Sequence, residues 1–320
     1  MSIRENLTPS SIADDRTPHI LPFLLPLLQS HMTSSPPRPF ILGLNGPQGI
    51  GKTTLVSSLA EILRHAHNIE TLVLSIDDFY LSREKQIALA TEQRRNPLVQ
   101  HRGEPGTHDI LLLKEVFKAL AEGREVRIPA YDKTAFAGRG DRVDVKEWRV
   151  VNGASQPRVQ VVILEGWCVG FRALRDDDLR LMVEASWKTA EGTLGKHRLE
   201  DLVFVNEELN GYEEVWDMFD AFIYLDAEKL RWVYDWREEA EEVVRKTKGQ
   251  GFGMTREQVR TFVDGYMPAY ELYVKGLRRG SLSQKESAKG DYNANVKNMQ
   301  MKLLIGRDRK VKQVTKYCLR

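Results

Sequence analysis

Short, almost unbroken apolar runs alternate along this chain with longer stretches whose apolar residues recur every three or four positions. The first run is Pro39-Phe40-Ile41-Leu42-Gly43-Leu44-Asn45, and others fall at 71–76, 159–164 and 221–225. Each has strand length, and 159–164 is apolar enough to be a strand covered on both faces. Between the runs, residues 54–63 put Leu55, Leu59, Ile62 and Leu63 on one helical face, and 109–122 and 227–247 also read as helices. Strand alternating with helix predicts an α/β fold, a mainly parallel sheet with helices on both faces. Near the C-terminus, 301–305, the turn Gly306-Arg307-Asp308-Arg309, and 311–317 predict a hairpin. No internal repeat and no second independent core is visible.

The flanks read differently. Residues 1–17 are polar, with Ser and Pro, and are expected to be flexible. Residues 20–28 are apolar but interrupted by Pro22 and Pro26, which suggests a short helix packing on the core. A signal peptide is disfavoured by the acids Glu5, Asp14 and Asp15 and by the lack of a clean small-residue cleavage site, and a transit peptide is disfavoured by the same acids. Ser34-Ser35-Pro36-Pro37 reads as a linker, so the expected division is 1–37 as an N-terminal segment and 38–320 as one domain. Residues 185–200 look like an insertion and 279–293 like a mobile loop.

Composition narrows the function only modestly. A formal net charge of +2 is too balanced for a nucleic-acid binder driven by phosphate attraction. Cys168 and Cys318 form no metal-spacing motif, and the scarcity of cysteine fits a reducing compartment. No stretch reaches the length of a membrane span. A cytoplasmic monomer without nucleic-acid or membrane partners is the expectation.

Candidate chemistry begins after the first strand. Gly46-Pro47-Gln48-Gly49-Ile50-Gly51-Lys52-Thr53 reads G-x-x-x-x-G-K-[ST], the phosphate-cradling P-loop, in its proper strand–loop–helix context. Glycines let the backbone turn its N–H groups inward, and the helix starting near Lys52 aims its positive end at the same phosphates. Lys52 is placed for the β- and γ-phosphates, the Thr53 hydroxyl for Mg²⁺, and Thr54 continues the cradle. The fold class expected is therefore a P-loop NTPase three-layer sandwich with added lid helices.

In open α/β sheets ligands sit beyond the carboxyl ends of the strands. After the second strand come Asp77-Asp78-Phe79-Tyr80, where Asp77 is a candidate base or metal ligand and Asp78 a candidate helix cap. After the third comes Glu165-Gly166-Trp167, an acid in the Walker B position. Both strands are expected beside the first. The loop His101-Arg102-Gly103-Glu104-Pro105-Gly106-Thr107-His108-Asp109 offers Arg102 and His108 to an anionic small molecule. Tyr131-Asp132-Lys133 and Arg139-Gly140-Asp141-Arg142 form a second possible anion-handling loop, or a solvated charged one. Arg237, with Arg245 and the nearby lysines, lies on a helix that suits a closing lid, over about 230–277.

The P-loop, Asp-Asp-Phe-Tyr after strand two and Glu-Gly after strand three together resemble the phosphoribulokinase/uridine kinase/pantothenate kinase group. Within it, the 101–109 loop, Tyr131-Asp132-Lys133, Gly138-Arg139-Gly140-Asp141-Arg142, Trp236-Arg237, Gly253-Met254-Thr255 and Tyr266-Met267-Pro268-Ala269-Tyr270 are similar to D-glycerate 3-kinases and their fungal relatives. The resemblance spans about 38–320. It implies ATP and Mg²⁺, and a small hydroxy acid as acceptor. Asp77 would be the general base, Lys52 the phosphate cation, and Thr53, Asp77 and Glu165 the metal's neighbours. Arg102, His108, Tyr131 and Lys133 would hold the substrate carboxylate, and Arg237 would belong to the lid. One departure lies in the lid, where Glu239-Ala240-Glu241 stands in place of a frequent Gln-Glu. Other readings are a kinase of a nucleoside, pantothenate or sugar, or a nucleotide-binding regulatory protein without turnover. A GTPase switch is unsupported, because neither Asp-x-x-Gly nor Asn-Lys-x-Asp occurs.

Overall fold

The computed structural model describes residues 14–33, 38–189, 192–249, 253–280 and 299–317. In chain order the elements are α1 (Thr17–Thr33), β1 (Phe40–Asn45), α2 (Lys52–His67), β2 (Thr71–Ser75), α3 (Arg83–Glu92), α4 (Ile110–Ala121), β3 (Val126–Ile128), β4 (Tyr131–Asp132), β5 (Asp141–Arg142), β6 (Arg149–Val151), β7 (Val161–Gly166), α5 (Asp176–Thr189), α6 (Leu199–Glu208), α7 (Glu213–Trp216), β8 (Ala221–Ala227), α8 (Trp232–Lys248), α9 (Arg256–Asp264), α10 (Met267–Arg278), β9 (Met299–Ile305) and β10 (Val311–Tyr317). The main sheet runs β10-β9-β8-β1-β7-β2. It is parallel except where β10 turns back on β9 as the expected hairpin.

Period-two alternation divides the core between the two faces of this sheet. Phe40, Leu42 and Leu44 point to one face, where they meet Ile20, Leu24 and Leu28 of α1 and Leu55, Leu59 and Leu63 of α2. Ile41 points to the other, with Leu74, Val162 and Leu164, against Leu113, Phe117 and Leu120 of α4 and residues of α5, α6 and α10. This is the three-layer α/β sandwich that the strand–helix alternation predicts. Gly43 shares that second face for a packing reason: a Cβ there would lie 2.6 Å from Phe222 and 2.7 Å from Phe219.

Several boundaries differ from the pattern-based expectation. The second strand is not beside the first, because β7 lies between them. Adjacency depends on non-local packing that a local apolar run does not encode. The third strand begins at Val161, not 159, and extends through Glu165 and Gly166. The long helix starts at Trp232, because β8 continues through Asp226 and Ala227. α1 runs through both prolines; Pro18, Pro22 and Pro26 are all exposed and four apart. The carbonyls that lose their intrahelical donors therefore lie on the solvent side, where water can satisfy them. Within 185–200 the described residues are built in: Leu194 is buried, and the Thr193 and Leu194 amides donate to Glu271 of α10. Of the stretch 1–17 expected to be flexible, residues 1–13 lie outside the described residues, whereas Arg16 and Thr17 are buried, Arg16 being held by hydrogen bonds to Ile50, Gly51 and Arg309 and Thr17 opening α1. The linker 34–37, residues 281–293 of the predicted loop, and Cys318 also lie outside the described residues. Among the described residues no helix is long and apolar enough to cross a membrane.

Leu24 is fully buried between α1 and the sheet. Leu24→Ala is expected to cost about 2–5 kcal/mol of unfolding free energy, read by urea denaturation.

Candidate active site

β1 delivers the P-loop to the carboxyl edge of the sheet. Asn45 at its end is buried, and its amide donates to the carbonyls of Trp167 (3.0 Å) and Val169 (2.7 Å), locking the loop after β7 to β1. Gly49 and Gly51 adopt φ of 76° and 96°, which turn the backbone into the cradle. Gly49 is doubly required, since a Cβ there would stand 2.6 Å from Cβ of Trp236 on α8. The Lys52 ammonium donates to the carbonyls of Gly46 (2.8 Å) and Pro47 (3.4 Å). Burial lowers its pKa, and the charges of Glu165 and Asp77 oppose that. Thr53 and Thr54 are exposed at the start of α2.

The outer side of the loop is braced from both ends of the chain. Arg16 donates to the carbonyls of Ile50 (2.8 Å), Gly51 (3.2 Å) and Arg309 (2.8 Å). Arg309, in the β9–β10 turn, donates from Nε to the Gly49 carbonyl at 2.8 Å and lies over the Trp236 ring. On the inner side, the Gln48 amide donates to the Tyr270 hydroxyl at 3.2 Å. None of these supports was singled out from the sequence. Their signal is tertiary, since residues 16 and 309 stand at opposite ends of the chain.

The acids arrive by strand register. Ser75 of β2 pairs with Glu165 of β7, and the chain then makes a 3₁₀ turn over Ile76–Phe79 that carries Asp77 beyond the sheet edge. Ser75, rather than Asp78, caps this turn by accepting from the Asp77 amide. Burial alone would raise the Asp77 pKa, but Lys133, His108 and Lys52 together hold it below the usual carboxylate range. The Lys133 ammonium contacts Asp77 Oδ2 directly. Burial and the neighbouring Asp77 charge push Asp78 up to about 6.

Loop 101–109 stands opposite. Arg102 donates to the carbonyls of Gly138 (2.9 Å), Arg139 and Lys133 (3.4 Å), and its guanidinium lies 5.6 Å from the Tyr131 ring. It thus ties its own loop to the one carrying Lys133. Asp109 caps α4 and pairs with Lys85 (3.0 Å) and Arg142 (3.1 Å). His108 is buried, stacks on Tyr80 at 4.5 Å, and shares a 2.7 Å hydrogen bond at Nδ1 with the Tyr212 hydroxyl. Burial drives its pKa down to about 4 against the pull of Asp77, so at neutral pH it is an uncharged hydrogen-bonding group.

The structure therefore brings Lys52, Asp77, Glu165, His108 and Lys133 into one charge-coupled cluster, with Arg102 and Tyr131 at its rim. Arg237 is less directly placed: it pairs with Glu241 and lies 4.9 Å over the Phe262 ring. Its charge reaches Tyr266, whose buried phenol also feels Asp77, Glu104 and Arg102. Tyr266 and Tyr270 were visible in the sequence only as part of a motif; here Tyr266 closes on Gly103, where a Cβ would lie 3.0 Å from its hydroxyl. Glu104 is also buried, with neither carboxyl oxygen hydrogen-bonded among the described residues.

A glycine-rich loop opening a helix, with acids at the ends of neighbouring strands, defines a nucleotide-dependent phosphotransferase of the P-loop class. Residues 41–173 match the profile of the phosphoribulokinase/uridine kinase family. The chain is 41% identical over 254 residues to an uncharacterized kinase, mug58, of Schizosaccharomyces pombe, covering 78% of this chain and 84% of that one. It is 35% identical over 244 residues to the chloroplastic D-glycerate 3-kinase of Arabidopsis thaliana, covering 75% of this chain and 48% of that one, about half its length. A solved D-glycerate 3-kinase from Cryptococcus neoformans superposes with a TM-score of 0.82 at 30% identity, covering 94% of this chain and 99% of that one. The chain belongs to the phosphoribulokinase/uridine kinase family, whose members are ATP-dependent kinases of small molecules.

The depressed His108 pKa has a signed consequence. An unfolded histidine binds a proton near pH 6.5, whereas the folded one resists protonation until about pH 4. The stability due to neutral His108 is thus intact above pH 6.5 and lost as pH falls towards 4, a loss of about 3 kcal/mol. Imidazole ¹⁵N shifts of His108 should stay those of a neutral ring at pH 5.5, and urea denaturation of wild type against His108→Asn should show the gap shrinking below pH 6.5.

Proposed function

We propose that the chain transfers the γ-phosphoryl group of ATP to a hydroxyl of D-glycerate. The observation that carries this reading is the Lys133–Asp77 contact opposite the P-loop. It sets a cation suited to a carboxylate beside an acid suited to take a hydroxyl proton. The similarity to D-glycerate 3-kinases of Arabidopsis thaliana and Cryptococcus neoformans supports the same acceptor.

Gly46 to Thr54 would cradle the phosphates, with Lys52 on the β- and γ-phosphates. Thr53, Glu165 and Asp77 would hold Mg²⁺. The donor set fits that ion: one hydroxyl and two carboxylates offer only hard oxygen ligands. Mg²⁺ in such sites takes one or two carboxylates and fills its shell with phosphate oxygens and water. When bound, it would neutralise charge developing on the phosphates.

Arg102 and Lys133, with the Tyr131 phenol beside them, would grip the acceptor carboxylate, and neutral His108 would present Nε2 to it or to a hydroxyl. That nitrogen has no hydrogen-bond partner among the described residues. Asp77 then takes the proton of the attacking hydroxyl. The new oxygen–phosphorus bond forms as the bond to the β-phosphate oxygen breaks, and ADP leaves with that electron pair. Arg237 would close with α8 and α9 as a lid that keeps water out. One chain supplies every group, so a monomer suffices.

The test is ADP release from ATP and Mg²⁺ against D-glycerate, other hydroxy acids, nucleosides and pantothenate. Glycerate is expected to stimulate release strongly, and Asp77→Asn to lower kcat by about 10²–10⁴-fold. Stimulation by a nucleoside but not by glycerate would overturn the acceptor. Full transfer activity in Asp77→Asn would remove Asp77 as the base.

A further inference from the structure

Two guanidiniums converge on the outer side of the phosphate cradle from opposite ends of the chain. We propose that Arg16 and Arg309 are positioning residues for the nucleotide, a clamp that fixes three successive peptide groups of the P-loop so that their N–H groups face the phosphates. Asp14-Asp15-Arg16 and the β9–β10 turn then belong to the nucleotide site, although neither carries a phosphate-binding motif. The inference needs only the nucleotide-dependent kinase class and is independent of the acceptor.

The geometry is that of a backbone held from behind. Arg16 donates to the carbonyls of Ile50 (2.8 Å) and Gly51 (3.2 Å), and Arg309 to that of Gly49 (2.8 Å). Those carbonyls belong to the peptide units whose N–H groups are those of Gly51, Lys52 and Ile50. In a trans peptide the carbonyl and the N–H point in opposite directions. A guanidinium on each carbonyl therefore holds the N–H on the other face of the loop. The Ile50 amide also closes a turn on the Pro47 carbonyl at 3.4 Å, whereas the Lys52 amide, at the start of α2, has no acceptor within its helix. A cation on a carbonyl also polarises its peptide, which makes the N–H a better donor.

Two features set this apart from an incidental contact. First, Arg16 is buried, and it packs so closely that a Cβ on Gly51 would lie 2.8 Å from its Nη1. A guanidinium is costly to bury, and here its donors are spent on the loop and on the Arg309 carbonyl at 2.8 Å. Second, Arg309 has φ 61°, in the left-handed region that favours glycine or asparagine. The turn itself has no use for arginine there, so the side chain's contacts account for it. The turn is seated from both sides: the Trp236 indole donates to the Arg307 carbonyl (2.8 Å), and the Val311 amide donates to Asp15 (2.9 Å). Asp14 and Asp15 beside Arg16, and Glu239 paired with Arg309 at 2.7 Å, offset the two cations. The clamp therefore acts at short range, through orientation, and adds little long-range attraction.

The experiment is calorimetric titration of ADP with Mg²⁺, and of tripolyphosphate with Mg²⁺ as the phosphate chain alone, into wild type, Arg16→Met, Arg16→Lys and Arg309→Gly. Thermal melting of each variant accompanies it. Arg16→Met is expected to weaken both ligands about tenfold, because the cradle is no longer preorganised. Arg16→Lys should recover only part of that, since an ammonium lacks the planar fork that reaches several carbonyls. Arg309→Gly separates positioning from stability. Glycine suits the left-handed backbone, so the melting temperature should hold or rise while both affinities fall about threefold or more. Unchanged affinities in Arg309→Gly, or in a folded Arg16→Met, would overturn the clamp. Weaker ADP binding with unchanged tripolyphosphate binding would also overturn it, by assigning the two residues to the nucleoside end. If Arg16→Met does not fold, Arg309→Gly decides alone. No acceptor enters the titration, so its outcome is separate from whether D-glycerate is phosphorylated.

Discussion

The rest of the molecule depends on how an ammonium and two carboxylates are kept together at the edge of a sheet buried on both faces. Lys52 loses hydration there, and its pKa falls for that reason. An isolated charge in such a place costs several kcal/mol unless opposite charge and hydrogen-bond acceptors meet it. Glu165 and Asp77 supply the charge, and the Gly46 and Pro47 carbonyls supply acceptors. A parallel sheet suits this task, because it collects the carboxyl ends of β1, β7 and β2 along one edge. The price of the cradle is backbone in the left-handed region at Gly49 and Gly51, and packing must hold it there.

That packing comes from far away in the chain. Between them, Arg16 just before α1 and Arg309 from the final hairpin hold three successive loop carbonyls: Arg16 those of Ile50 and Gly51, Arg309 that of Gly49. The start of α10 touches the other side, with Tyr270 on the Gln48 amide and Tyr266, the residue just before the helix, against Gly103 of the facing loop. The glycine-rich loop and the facing loop 101–109 are therefore both packed against neighbouring residues at the start of α10.

The site also separates groups that sequence alone treats as equivalent cations. Arg102, Lys133 and His108 all suggest anion binding on paper. In the fold Arg102 donates to backbone carbonyls, Lys133 faces the Asp77 carboxylate, and His108 is neutral because it is buried against Tyr80 and Tyr212. Three different environments give one residue class three different chemistries.

The amino-acid sequence by itself determined the local geometry. Apolar runs placed β1, β2 and β8 to within a residue or two, and the glycine spacing around Lys52 defined the phosphate cradle, because both follow from short-range sterics and alternation. Asp77 and Glu165 were legible for the same reason: each follows or ends a buried strand, where an acid is costly without a partner. Only the tertiary structure decided that β7 separates β1 from β2, that α1 continues through its prolines, and that Arg16, Arg309 and Tyr270 support the P-loop. It also decided that Lys133 rests on Asp77. Those contacts join residues tens to hundreds of positions apart. They depend on which surfaces pack together and on the desolvation that packing imposes, neither of which is written in any local window of the chain.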